Sequence, residues 1–231
     1  MSSVYITAKI PKIAESLLRA RGFAVEINNS SKNLTKDELK EVFSKHDAVL
    51  TLMTDKIDAD LLKHASKKLK IIANYAIGFD NIDVLEARRR GITVTNTPGV
   101  ASESAAEHTF LLILACAKKL IEADKFVRLG KFQRWDPLAF LSMQIFGKTI
   151  GIVGLGKIGT FVGQIAHSGF RMKILYSDIS RSEDFELLTE AKFTSLEELL
   201  KEADIVTLHC LLTPKTRHLI SKEQFLQMKN T

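Results

Sequence analysis

The chain has 231 residues, of which 45% are hydrophobic and 26% are charged, and its formal net charge is +6 at pH 7. This length exceeds one typical domain and is short for two large ones. The longest apolar run, residues 110–117, is too short to cross a bilayer. Basic residues are mixed with acidic ones, and no aromatic or DNA-binding pattern accompanies the cluster Arg88, Arg89 and Arg90, so we expect neither a membrane nor a nucleic-acid partner.

The two cysteines and the N-terminal segment indicate a cellular compartment. MSSVYITAKI leads directly into a predicted strand and has no secretory pattern. Cys116 lies in an apolar helix and Cys210 follows an apolar strand, and two such residues do not form a disulfide framework. We therefore expect a cytoplasmic protein, and we expect no metal site.

The first hundred residues alternate between predicted strands and helices. Thr35 and Glu38 form a capping box, and Asp80, Asn81 and Asp83 are expected to cap the helix at 81–90. Five strands with intervening helices predict a parallel α/β sheet covered on both faces. The predicted strands are residues 4–7, 23–27, 48–53, 69–75 and 92–96, and the helices are residues 11–20, 35–44, 58–66 and 81–90.

Thr97, Pro98 and Gly99 interrupt this alternation. One long helix is predicted from about Ser102–Ser104 to Leu129–Gly130, with Ser104 and Glu107 as a second capping box. After an irregular segment, a second α/β unit begins at Gly147. Its three predicted strands make up only one half of a dinucleotide-binding sheet; they are residues 149–153, 173–176 and 204–209, and the helices around the third strand are residues 195–203 and 221–229.

The sequence GLGKIG follows the first strand of this second unit. Gly154 allows a tight turn, Gly156 lets the backbone approach a pyrophosphate, and Gly159 lets the next helix pack closely. Lys157 and Ile158 open that helix, whose free N–H groups attract phosphates. Asp178 lies 19 residues after Gly159, where a carboxylate accepts the ribose hydroxyls. These five positions and Asp178 predict a bound dinucleotide.

Asp178 also bears on the choice of cofactor. A carboxylate at this position bonds the ribose hydroxyls of NAD and repels a 2′-phosphate, so we expect NAD rather than NADP. Arg181 follows three residues later. It either meets a phosphate or is a solvated loop charge.

Four sequence blocks carry a resemblance to the D-isomer-specific 2-hydroxyacid dehydrogenase family. They are NYAIGFDNID (74–83), GITVTNTPGV (91–100), the glycine loop through Asp178, and ADIVTLH (203–209) with LTPKT (212–216) and HLI (218–220). The similarity covers nearly the whole chain. Residues 126–135 look most like the glyoxylate, 2-ketogluconate and hydroxypyruvate reductase branch.

The resemblance implies an NAD-dependent oxidoreductase acting on CH–OH donors. Hydride would pass between NAD(H) and a small 2-keto or 2-hydroxy acid such as glyoxylate or hydroxypyruvate. Residues 1–99 would be the N-terminal part of a flavodoxin-like substrate domain, and residues 100–231 the N-terminal part of a Rossmann NAD-binding domain. Both would be incomplete at the C-terminus, and the 101–130 helix would form a homodimer.

The resemblance also implies individual site residues. Met53 and the backbone amides of Ala76, Ile77 and Gly78 would contact the substrate, whereas Ser104, His209, Cys210 and Leu211 would lie at the cofactor. Three of these residues have a purely structural alternative: core filling for Met53, helix capping for Ser104, and a backbone hydrogen bond for His209. Leu211 replaces the family's usual proline, which puts the rigidity of that loop in question.

The family's catalytic arginine, glutamate and histidine lie beyond the segment that matches residues 228–231. We therefore expect no catalytic residue within this chain, a C-terminally truncated family member, and no activity of the chain alone. The alternative is a noncatalytic NAD-binding or dimerising protein, or a truncated isoform of regulatory type.

Overall fold

A computed structural model describes residues 1–230; Thr231, which ends the segment expected to precede the catalytic residues, lies outside the described residues. The chain divides into two compact units, Met1–Val100 and Ala101–Thr231. Both are parallel α/β units, so the predicted fold class is confirmed. In the part of the chain that the structure describes, no helix is both long and apolar enough to traverse a bilayer.

The N-terminal unit is built on a five-stranded parallel sheet with the strand order β2-β1-β3-β4-β5. This order is that of flavodoxin-like folds, as the resemblance implied. Residues of the second, third and fourth helices pack on the sheet and form the core. The strands are β1 (Ser3–Ile6), β2 (Ala24–Ile27), β3 (Ala48–Thr51), β4 (Ile71–Asn74) and β5 (Thr93–Thr95), and the helices are α1 (Lys12–Ala20), α2 (Lys36–Lys45), α3 (Ala59–Lys63) and α4 (Val84–Arg89).

Two of the predicted helix starts have different outcomes. The capping box of α2 is confirmed, because Thr35 Oγ1 accepts from Glu38 N and the Glu38 carboxylate accepts from Thr35 N. At α4 only Asp83 caps, accepting from Glu86 N at 3.0 Å. The prediction was wrong for Asp80 and Asn81, because α4 begins at Val84 and Asn81 is used elsewhere.

The C-terminal unit has a four-stranded parallel sheet with the order β8-β7-β6-β9. This is the order of the first four strands of a Rossmann sheet. The short elements β8 and α8 were not predicted. The strands are β6 (Thr149–Val153), β7 (Lys173–Ser177), β8 (Lys192–Phe193) and β9 (Ile205–Leu208), and the helices are α5 (Ser102–Ala117), α6 (Leu120–Arg128), α7 (Lys157–Phe170), α8 (Glu183–Thr189), α9 (Leu196–Glu202) and α10 (Lys222–Gln227).

The single long helix predicted for residues 101–130 was wrong. The structure has α5 and α6 instead, separated by Lys118 and Lys119, and Lys119 adopts a left-handed φ of 52°. Met143 braces the break, because its amide donates to the carbonyl of Ala117 and its carbonyl accepts from the Lys118 ammonium. Met143 lies 25 positions after Lys118 in the sequence. Its contacts therefore accompany the end of a helix that the local sequence pattern predicts to continue.

Two apolar clusters cover the two faces of the C-terminal sheet. On one face α5 and α7 pack together, with Phe110 stacked on Phe170 at a centroid distance of 5.2 Å. On the other face α9 contributes Leu199, Leu200 and Ala203. Because both faces are covered, a ligand can approach this sheet only at its edges or at the ends of its strands.

Candidate cofactor and substrate sites

The turn between β6 and α7 is shaped by two close backbone approaches. Gly154 has a φ of 95°, and a Cβ there would lie 2.4 Å from the amide nitrogen of Cys210. A Cβ on Gly159 would lie 2.3 Å from the carbonyl oxygen of Gly154. Both distances are far below van der Waals contact, so only glycine fits at these two positions.

Gly156 is free of both constraints. Its φ of −76° suits any residue, and a Cβ there would meet nothing within 4 Å. Gly156 is the N-cap residue of α7 and supplies no capping side chain. Within residues 1–230, the amides of Gly156, Lys157 and Ile158 have no hydrogen-bond acceptor. A helix start with free N–H groups is a favourable anion site.

Asp178 lies directly against this turn. Its Oδ2 accepts from Leu155 N at 2.5 Å and its Oδ1 accepts from Ile179 N at 2.5 Å. An ionised carboxylate has about four acceptor positions, so two remain for further donors. The structure thus brings together the glycine loop and the acid that the sequence predicted as a pair.

The segment after β9 reaches the same turn. The amide of His209 donates to Val153 O at 2.8 Å, and Cys210 touches Gly154. The His209 imidazole pairs with the Thr207 hydroxyl at 2.9 Å, and the bond from its amide to Val153 agrees with the alternative of a strand-end histidine bonded to backbone. Burial lowers the pKa of His209, and the ring is therefore neutral at pH 7.

The loop that begins at Leu211 is closed by hydrogen bonds within residues 211–216. Leu211 is exposed, and its carbonyl accepts from the Thr216 hydroxyl at 2.5 Å. The same hydroxyl also accepts from Thr213 N at 2.7 Å, and the Thr213 hydroxyl accepts from Thr216 N. Threonine hydroxyls therefore close the loop at the place where the family's proline is missing.

Ser104 lies in the first turn of α5, not at its cap. Ala101 is the N-cap residue of α5 and makes no side-chain hydrogen bond, so both the predicted capping box with Glu107 and the capping alternative for Ser104 were wrong. The Ser104 side chain is exposed. Its hydroxyl has no hydrogen-bond partner among residues 1–230, so a ligand of this unit can reach it.

In the N-terminal unit, three successive carbonyls of the loop after β4 are held by side chains. Asn74 Nδ2 donates to Gly78 O at 2.9 Å, Asn96 Nδ2 donates to Ile77 O at 2.7 Å, and the amide and hydroxyl of Thr97 both donate to Ala76 O. The amides of residues 76–78 have no acceptor among the described residues. Consecutive free amides of this kind suit a carboxylate.

Asn74 belongs to a buried polar network that sequence reasoning missed. Its Oδ1 accepts from the Thr51 hydroxyl at 2.9 Å, and its amide nitrogen also reaches Asn81 Oδ1 at 3.1 Å. Asn81 Nδ2 in turn donates to Leu52 O and Asp55 O. The presence of both asparagines in the NYAIGFDNID block was the only available signal. The network joins the loop after β3 to the loop after β4.

Met53 lies in the loop after β3 that this network holds. Its side chain is 69% exposed, so the core-filling alternative was wrong. Asp55, which is buried, anchors the loop by accepting from Leu52 N at 2.8 Å and from the Thr7 hydroxyl at 2.5 Å. Met53 is therefore presented to solvent on a fixed loop.

A cavity of about 620 Å³ lies elsewhere in the C-terminal unit, among His167, Arg171, Lys173 and Lys192. It is at the amino end of β7, opposite to the glycine loop. Ligands of open α/β sheets bind outside the carboxyl ends of the strands, so this cavity is not the dinucleotide site. Within residues 1–230 no group of three or more potential ligands is arranged to hold a metal.

The glycine turn, the free helix start and Asp178 define a dinucleotide-binding α/β protein. Comparison with known proteins narrows this class. The family described as D-isomer specific 2-hydroxyacid dehydrogenase, NAD binding domain, matches residues 110–231. A glyoxylate reductase of Korarchaeum cryptofilum is 43% identical over 229 residues, which are 99% of this chain and 68% of the relative.

Solved structures agree with this assignment. A Thermus thermophilus protein superposes with a TM-score of 0.90 at 38% identity, covering 98% of this chain and 70% of the other. The D-lactate dehydrogenase of Aquifex aeolicus, solved with NAD and lactic acid, gives a TM-score of 0.84 at 29% identity, covering 99% and 66%. The chain belongs to the D-isomer-specific 2-hydroxyacid dehydrogenase family of NAD-binding oxidoreductases that act on CH–OH donors.

Proposed function

We propose that this chain supplies the cofactor-binding and substrate-anchoring parts of an enzyme that transfers hydride between NAD(H) and a small 2-keto acid, with glyoxylate or hydroxypyruvate as the substrate class. The observation that carries the proposal is the free helix start at Gly156 beside the Asp178 carboxylate, in a chain of this family. The relatives named glyoxylate reductase support the choice of substrate.

At the cofactor end, the amides of residues 156–158 bind the pyrophosphate and the Lys157 ammonium adds positive charge. The Asp178 carboxylate accepts the ribose hydroxyls, and Ser104, His209, Cys210 and Leu211 complete the site. Asp178 favours NAD over NADP because its charge repels a 2′-phosphate. NAD itself, when bound, supplies the hydride-accepting nicotinamide.

At the substrate end, the amides of Ala76, Ile77 and Gly78 bind the carboxylate of the keto acid. Their carbonyls are already held by Asn74, Asn96 and Thr97, so the amides need no rearrangement when the anion arrives. Met53 contacts the rest of the small substrate from its fixed loop.

A homodimer is the proposed assembly, formed through α5 and α6. These helices expose large apolar side chains, which in a monomer would remain in water; among them are Leu111, Leu112, Leu120, Ile121 and Val127. Sedimentation equilibrium of the chain tests this proposal, and a monomer at micromolar concentration contradicts it. Both cysteines are free thiols, which suits the cytoplasm that we propose as the compartment.

The experiment is to measure binding and turnover separately. We expect the 231-residue chain to bind NADH more tightly than NADPH, and Asp178→Ala to narrow that preference because the repelling charge is removed. Titration of cofactor fluorescence measures both dissociation constants. A wild-type preference for NADPH contradicts the assignment of Asp178.

Turnover of glyoxylate or hydroxypyruvate by the same 231-residue polypeptide is expected to be absent. No residue of the chain matches the acid–base group that the resemblance implies, and such a group typically contributes about 10²–10⁴-fold to the rate. Steady-state oxidation of NADH measures it. Turnover in the ordinary enzyme range would show that residues within the chain do this chemistry.

A further inference from the structure

The segment that follows β7 contains two residues with opposite implications for the cofactor. Asp178 disfavours a 2′-phosphate, whereas an arginine nearby is the usual ligand of that phosphate in NADP-binding proteins. Arg181 lies three residues after Asp178 on the same segment. What Arg181 contacts therefore matters for cofactor choice.

Arg181 is a solvent-exposed loop charge, as one of the two alternatives stated, but its guanidinium is already paired with a carboxylate. Its Nε donates to both carboxylate oxygens of Glu186, at 2.9 and 3.1 Å, and one terminal nitrogen donates to Oε2 at 2.6 Å. This two-pronged geometry is the strongest form of an arginine–carboxylate pair. The Glu186 side chain is only 15% exposed, whereas that of Arg181 is 60% exposed.

Glu186 is held in place by a hydrogen bond from Tyr176 of β7, which is fully buried. The Tyr176 hydroxyl donates to Glu186 Oε1 at 2.7 Å and accepts from Ser182 N at 2.8 Å. The Arg181 guanidinium, followed by the Tyr176 hydroxyl, lowers the pKa of Glu186. Glu186 is therefore ionised at neutral pH, and the pair persists under the conditions in which a cofactor binds.

We propose that Glu186 is a positioning residue that sets the cofactor preference, because it holds Arg181 in this pair and so keeps the guanidinium from serving as a ligand of an adenosine 2′-phosphate. The inference rests on the proposed binding of NAD(H) at the glycine loop. Glu186 neutralises the charge of Arg181. The 2′-phosphate of NADP would then face only the negative charges of the same segment, which are those of Asp178, Glu183 and Asp184.

The test compares the dissociation constants of NADPH and NADH for the full 231-residue chain. Glu186→Gln removes the charge but keeps the size of the side chain and an acceptor for Tyr176. We expect the ratio of the NADPH to the NADH constant to fall by about two- to fivefold, the range that exposed ion pairs produce, mainly through tighter binding of NADPH. Adding Arg181→Met to Glu186→Gln should abolish this gain.

Glu183→Gln is the matched control, because it removes the same charge from the same helical turn without touching Arg181 through a hydrogen bond. It should change the ratio less than Glu186→Gln does. Tyr176→Phe is the second variant, and it loosens Glu186 while keeping all charges. It should shift the ratio in the same direction by a smaller factor, and it keeps the test decisive if Glu186→Gln does not fold.

Three results overturn the inference. The first is an unchanged ratio in Glu186→Gln, or in Tyr176→Phe where that variant replaces it. The second is an equal fall of the ratio when Arg181→Met is added, which assigns the effect to lost repulsion alone. The third is a wild-type chain that binds no NADH, which overturns the proposed function as well, whereas normal NADH binding with an unchanged ratio overturns only the role of Glu186.

Discussion

The two loops proposed to bind anions, residues 76–78 of the N-terminal unit and residues 154–159 of the C-terminal unit, present free backbone amides by different means. In the first loop, side chains of Asn74, Asn96 and Thr97 capture the carbonyls and so orient the amides. In the second, glycines permit contacts that no side chain would allow, and a helix begins where the amides are needed.

The comparison shows that free backbone amides can be produced in two ways, by side chains that bind the carbonyls or by glycines that permit close packing. The side-chain route depends on hydrogen bonds between residues that are distant in sequence, so it is sensitive to loss of polar atoms. The glycine route depends on empty space, so it is sensitive to added atoms. Deleting polar atoms around residues 76–78 tests the first way, and adding atoms to residues 154–159 tests the second.

Gly154→Ala should have the largest effect. The new Cβ meets the Cys210 backbone at 2.4 Å and the residue keeps a φ of 95°, so we expect a loss of about 2–4 kcal/mol in the free energy of unfolding. Urea denaturation measures it. Gly147→Ala is the control, since Gly147 also has a positive φ but open space around it. Equal losses in the two variants would show that contact with Cys210 is unimportant.

Asn74→Ala should have the next largest effect, about 1–3 kcal/mol, because it leaves the buried Thr51 hydroxyl and the Gly78 carbonyl without a partner. Asn96→Ala removes a single hydrogen bond from a half-buried residue and should cost less. Denaturation of both variants under the same conditions gives the comparison. A larger loss for Asn96→Ala would contradict the central place of Asn74 in the network.

Gly156→Ser should weaken NADH binding without changing the stability of the fold. Serine is a good N-cap residue and fits the backbone at Gly156 without a clash, so the free energy of unfolding should change by less than about 0.5 kcal/mol. NADH binding should weaken by about tenfold, equivalent to about 1.4 kcal/mol, because the added atoms occupy the position proposed for the pyrophosphate.

Gly169→Ser, at the other end of α7 and also in open space, is the control for Gly156→Ser and should leave NADH binding unchanged. Unchanged binding in Gly156→Ser itself would remove the cofactor from this turn. Fluorescence titration of the two variants is sufficient.

A fall in pH should give the smallest effect, and Asp47 is one of the carboxyls of the N-terminal unit whose protonation contributes to it. The Ser3 amide, followed by the Ser3 hydroxyl, lowers the pKa of this carboxyl. A lowered folded-state pKa means that the stabilisation is complete above the unfolded value of about 3.9 and is lost as the pH falls through the folded value. Asp47→Asn should therefore flatten the fall of the melting temperature below about pH 4. Parallel curves for both proteins would contradict this.

Patterns confined to a few neighbouring residues were predictable from the sequence. The glycine loop, Asp178 and the Thr35 capping box are defined by short spacings that the chain carries wherever it folds. The alternation of strand and helix likewise predicted the parallel sheets. The short elements α8 and β8 were missed because neither is long enough to show a period.

Contacts between distant segments were not predictable. The break at Lys118 and Lys119 depends on Met143, and the use of Asn81 depends on Leu52 and Asp55. The pairing of Arg181 with Glu186 is supported by Tyr176, whose hydroxyl bonds Glu186 from the buried strand β7.

The sequence by itself therefore determined the fold class and the position of the glycine loop, because local propensity and spacing are properties of adjacent residues. The resemblance of four sequence blocks indicated the family, and the comparisons showed it. The tertiary structure alone decided which amides are left free and which charges are already neutralised. A buried polar group must find a partner wherever the fold supplies one, and no short pattern in the chain specifies that partner.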